Sequence, residues 1–131
     1  MEKLGKIKVK KLYDRCLNLV RKKPTGFLLF RKMGSFQGKI IHGYCNWTDL
    51  EVNPKGELLV TIYHECVHFL EPDWSETQVI YAESRLINCM SFLDHARFLK
   101  YAALKLYKSE LLRDVTKQTK RKKIRKNKNL K

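Results

Sequence analysis

Residues 64–68 read His-Glu-Cys-Val-His. Positions four apart share one face of a helix, so His64 and His68 can offer two imidazole nitrogens to one metal ion. Glu65 would then lie beside the ion, where a carboxylate can take a proton from a metal-bound water. The chemistry open to such a set is metal-assisted hydrolysis. A catalytic zinc takes three protein ligands and keeps a fourth position for water, so one ligand must come from outside the motif. Glu76 is the first choice, since it opens the next helix only eight residues after His68 and a tight turn through Pro72 could fold it back over the histidines. Glu83 is the alternative third ligand, on the same helix face but about 10 Å further along the axis. His95 and His42 stand behind these two.

These residues must be carried by a small domain. The chain has 131 residues, enough for one hydrophobic core. No apolar run is long enough to span a membrane. The start, Met-Glu-Lys-Leu-Gly-Lys, lacks the apolar segment of a secretion signal, which favours a cytoplasmic location. The cysteines Cys16, Cys45, Cys66 and Cys89 form no C-x-x-C pair and are expected as thiols. The net charge of +15 is concentrated at the two ends: residues 1–23 hold nine Lys/Arg against two acids, and residues 113–131 hold ten against Asp114. Residues 24–112 are close to neutral. Basic ends of this density attract polyanions, nucleic acid first among them.

The apolar pattern gives the order of elements. Residues 6–11 alternate Lys with Ile and Val and read as an extended arm or a frayed first helical turn. Residues 12–23 follow helical spacing up to Pro24. Residues 26–33, 36–45 and 50–52 are expected as three strands of a small antiparallel or mixed sheet. The motif helix covers about 57–70 and ends before Pro72. Asp73 or Ser75 caps a long helix over about 75–112, with a break near 88–91. From residue 116 the apolar pattern stops, and the tail is expected to be disordered. The expected organisation is a basic N-terminal arm or helix (1–23), a metal-binding domain (24–112) and a basic tail (113–131).

The run from His64 through Glu76 to Val79 resembles small zincin-like metallopeptidases of bacterial and phage origin, of the gluzincin type. In these, H-E-x-x-H is followed by a turn and a helix carrying a glutamate ligand. The element order is similar to that of minigluzincins and ImmA/IrrE-type domains. The resemblance covers about residues 38–87. It implies an α+β zincin-like fold with a small three-stranded sheet, zinc on His64, His68 and Glu76, and a peptide or protein substrate. The long helix beyond residue 90 and the basic tail lie outside it.

The functional expectation is a zinc-dependent metallopeptidase with Glu65 as general base. A peptide would lie along the strand edge at residues 39–45, and Tyr44, His42 and Tyr63 are candidate donors to the developing oxyanion. Lys120, Arg121, Lys122, Lys123, Arg125, Lys126 and Lys128 would contact nucleic acid or another polyanion. The alternative expectation is a non-catalytic component of a nucleic-acid assembly or a virion, with a structural or vestigial metal site. Each residue also has an ordinary role to weigh: core histidines, a glutamate favourable at a helix N-terminus, and, for His95 between Asp94 and Arg97, a surface group.

Overall fold

A computed structural model describes residues 3–31, 35–36, 39–40, 43–45, 50–52 and 57–128, without side chains for 35, 36, 39, 40, 44 and 124–128. The fold is α+β. Its order is α1 (Lys6–Lys22), β1 (Leu28–Phe30), β2 (Ser35–Phe36), β3 (Lys39–Ile40), β4 (Gly43–Cys45), β5 (Leu50–Val52), α2 (Leu58–Leu70), α3 (Glu76–Cys89) and α4 (Phe92–Lys128). β5 runs between β1 and β4, parallel to the first and antiparallel to the second, with Leu50 opposite both Leu28 and Cys45. β2 and β3 form a separate antiparallel pair. The long strand expected over 36–45 is thus divided into short pieces belonging to two ladders.

α1 begins at Lys6, so residues 6–11 are helical rather than an extended arm. Val9, Leu12, Tyr13, Cys16 and Val20 follow three- and four-residue steps and are all buried. That stripe overrides the local alternation of Lys with Ile and Val. α1 therefore belongs to the core and packs against α2, α3 and α4.

The turn between α2 and α3 is closed by named contacts. The Glu71 amide donates to the Val67 carbonyl at 2.8 Å, and the Trp74 amide to the Glu71 carbonyl at 3.1 Å. Ser75 is the N-cap of α3, and its hydroxyl accepts from the Gln78 amide at 3.2 Å. Arg15 of α1 donates to the Leu70 carbonyl at 3.3 Å and pairs with Glu71 at 2.6 Å. A guanidinium there satisfies carbonyls that the end of α2 leaves open.

α3 and α4 are separate helices, broken at Met90–Ser91. The Ser91 hydroxyl accepts from the Asp94 amide at 3.1 Å and starts α4. α4 then continues to Lys128, through the segment expected to be a disordered tail. Lys, Arg and Gln are good helix formers and no glycine or proline interrupts the run. Gln118 donates to Asp114 one turn away, at 3.1 Å. The body holds α4 through Phe98, Ala102 and Leu106, all buried, and lastly through Arg113, which donates to the Phe30 carbonyl at 2.9 Å. Residues 114–123 are all exposed. Among the described residues no helix is long and apolar enough to cross a membrane.

The α2–α4 contact centres on Tyr63, whose ring stacks on Phe98 with centroids 4.2 Å apart. Both side chains are fully buried. Phe98→Ala should cost about 3–5 kcal/mol through the cavity it leaves. Urea unfolding of the purified chain checks this, with Tyr107→Ala on the exposed side of α4 as a substitution expected to stay within about 0.5 kcal/mol.

Candidate metal centre

α2 is enclosed on most sides. Ile62, Tyr63, Cys66 and Val67 are buried, facing the sheet, α1, α3 and α4, and this leaves one open line along the helix, marked by His64 and His68. α3 returns over that line because the Pro72–Ser75 turn is tight. Glu76, in its first turn, reaches both rings: one carboxylate oxygen lies 2.8 Å from His64 Nε2 and the other 2.8 Å from His68 Nε2. The two Nε2 atoms are 3.1 Å apart. Donor atoms on His64, His68 and Glu76 all lie within 4.8 Å of one another. Two ligands held tetrahedrally at about 2.1 Å from zinc stand about 3.4 Å apart, so this triangle needs to open only slightly to hold one ion. Among the described residues the donor set is two imidazoles and one carboxylate.

Glu83, seven residues after Glu76, lies at the other nitrogen of His64. Its carboxylate is 3.1 Å from Nδ1, while Nε2 faces Glu76 and His68. From this position it accepts a hydrogen bond from Nδ1–H, which would orient the ring with Nε2 toward a metal. Sequence spacing ranked Glu76 ahead of Glu83 as third ligand, but it gave no sign that Glu83 would meet His64 Nδ1.

Glu65 is only 6% exposed. Burial is the main cause that pushes its carboxyl up, to about 7; the nearby His64 pulls it down, while Glu76 and Glu83 push it further up. For His64, burial lowers the pKa, but the hydrogen bond to Glu83 and the Glu76, Glu65 and Glu83 charges raise it above its ordinary value. Both residues line a cleft of about 280 Å³, together with Glu76, Glu83, Thr61 and Gly43. Gly43 on β4 brings the strand directly against α2. A Cβ there would stand 2.7 Å from Thr61 Cγ2 and 3.0 Å from Glu65 Cγ, so the cleft wall requires glycine at this position. The sequence carried a signal for this wall, glycine inside a strand-like run, which marks close backbone approach, although Gly38 in the same run gave the same signal.

The remaining candidates stand elsewhere. His95 is buried rather than a surface group. Its Nε2 lies 3.0 Å from the Ile87 carbonyl, an acceptor only, so Nε2 carries the proton and Nδ1 accepts from the Tyr63 hydroxyl at 3.0 Å. Tyr63 is thereby engaged in the core and turned away from the cleft, and its phenol is raised well above its ordinary pKa, chiefly by burial. His42 and the Tyr44 side chain lie outside the described residues. Lys120, Arg121, Lys122 and Lys123 are exposed on α4. Arg125, Lys126 and Lys128 continue that helix, their side chains outside the described set. Comparison with protein-family models, curated proteins and solved structures finds no match to this chain.

A carboxyl whose folded pKa lies above its unfolded value favours the folded state only while protonated. For Glu65 that contribution is complete below about pH 4.5 and is lost as pH rises to about 7. In metal-free protein, Glu65→Gln should therefore gain about 2–3 kcal/mol over the parent chain between pH 4.5 and pH 8. Urea unfolding of both proteins with a chelator present, across that range, checks it; parallel curves would place the carboxylate in water.

Proposed function

We propose that this chain is a zinc-dependent peptidase of zincin-like architecture, with a basic helical arm that contacts nucleic acid or another polyanion. The observation that carries the reading is the convergence of His64 Nε2, His68 Nε2 and the Glu76 carboxylate at a cleft that His64, Glu76 and the buried Glu65 line. A zinc ion held there would supply an acidified water and polarise a carbonyl. Glu65 is the group that would take a proton at its carboxylate and return it to a leaving amine. A carboxyl with a proton affinity near neutrality suits that exchange. Glu83 would hold the His64 ring in register. β4 is the outer strand of its ladder among the described residues and borders the cleft through Gly43, which supports an extended peptide lying along it.

The arm reading rests on charge density: nine Lys/Arg stand against Asp114 over residues 113–128, and of these Lys117, Lys120, Arg121, Lys122 and Lys123 are exposed. Contacts of this kind go to phosphates and carry no sequence information. A second reading, a non-catalytic assembly component, is favoured by one feature: the same three donors tie α2 to α3, which is what a structural ion does. A cytoplasmic or virion-associated setting fits both readings.

Purified chain should carry about one zinc, measured by elemental mass spectrometry, and His68→Ala should lose it. Glu65→Gln should keep the zinc and lose peptide hydrolysis by about 10²-fold or more. Full hydrolysis by that variant would remove Glu65 as the base, and zinc without hydrolysis in the parent chain would leave the structural reading. Separately, affinity for a DNA or RNA duplex should fall steeply with salt. Each of Lys120→Ala, Arg121→Ala and Lys122→Ala should reduce the slope of log K against log salt by about 1.

A further inference from the structure

α4 has two apolar faces, and only one of them is covered. Phe98, Ala102, Leu106 and Ser109 are buried against the body. Leu104, Tyr107, Leu111 and Val115 follow at i, i+3, i+7 and i+11 and form a second stripe. Each lies two positions from a residue turned to the body (Leu104 between Ala102 and Leu106, Tyr107 and Leu111 either side of Ser109, Val115 after Arg113), and two positions are about 200° of rotation. The second stripe therefore faces away from the core. Tyr107 is 66% exposed, and Leu111 and Val115 are each 51% exposed. The apolar side chains run over three turns, about 16 Å, at the spacing by which one helix reads another.

We propose that this outer stripe of α4 docks an acidic amphipathic helix of a partner protein. Charge selects that occupant. Lys100 and Lys108 are exposed beside the stripe. Of the acids nearby, Glu110 is held inward, accepting from the Phe30 amide at 3.2 Å and pairing with Arg113. Asp114 accepts from Gln118. An apolar seam bordered by lysines is complementary to a seam bordered by Glu or Asp. A second copy of this chain would instead bring the same lysines and another +15 of charge. Nucleic acid would leave three aliphatic side chains in water, and a lipid surface calls for a wider apolar face than one stripe. The inference stands independently of any metal at His64 and His68.

The probe is a synthetic three-heptad peptide with Leu at its a and d positions and Glu at e and g, labelled for fluorescence anisotropy and titrated with the full chain. It should bind at least tenfold more tightly than a scrambled peptide of the same composition, which keeps the charge and loses the seam. Tyr107→Ser with Leu111→Ser should weaken binding at least tenfold with the melting temperature kept, both side chains being exposed. Lys3→Ala with Lys6→Ala, exposed just before and at the start of α1, should change it less than twofold. Equal binding of the ordered and scrambled peptides, or unchanged binding by the stripe variant, overturns the proposal. So does a dimer in analytical ultracentrifugation that the stripe variant abolishes, or binding to phosphatidylcholine–phosphatidylserine vesicles that it abolishes, each of which names a different occupant.

Discussion

Glu65 is an acid on a helix whose neighbours Ile62, Tyr63, Cys66 and Val67 are at most 1% exposed. Enclosing α2 this far is what the other elements do. The sheet covers one side, α1 and α4 cover others, and α3 folds over the histidine line. A buried carboxyl is expensive in its charged form, and nothing in the stability of the fold requires one here. The cost is met by packing elsewhere in the core, which is the usual arrangement where a group must be held ready for proton transfer or for a cation.

The turn from Glu71 to Ser75 converts that enclosure into a site. Five residues reverse the chain so that Glu76, in the first turn of α3, faces both imidazoles. Arg15 holds the outgoing end of α2 and Ser75 holds the incoming end of α3. Glu83, two turns further on, lies against the outer nitrogen of His64. The donor triangle and its supporting carboxylate therefore come from two helices whose relative position is fixed by a short turn and a clamp from α1.

Much of the site was legible because its signals are local. The motif spacing, Pro72 as a helix breaker, Ser75 as a cap and Glu76 as the first acid beyond the turn can each be read within a few residues. The division of labour between Glu76 and Glu83 was not, because it depends on which nitrogen of His64 each one meets. His95 misled for a related reason. Its neighbours Asp94 and Arg97 are polar, yet 95, 98 and 102 fall on one helix face, and that face is buried. The strand region misled because its pieces are two or three residues long, too short for a period to declare itself. The helix of the basic segment was hidden because lysine-rich runs suit a solvated helix and a disordered tail equally by composition, and only backbone propensity separates them.

The stacking of Phe98 on Tyr63 has a geometric consequence for the whole molecule. Tyr63 belongs to the helix of the histidines, and Phe98 to the helix that becomes the arm. The arm is thus rooted one residue from His64, with no hinge between Phe98 and Lys128. A continuous helix advances 1.5 Å per residue, so the far end stands about 45 Å from that root and does not change its reach while the helix persists. If the arm binds a polyanion as proposed, α4 would set the distance between that ligand and the cleft, and each residue added to or removed from the helix would reset that distance and rotate its far end by about 100°.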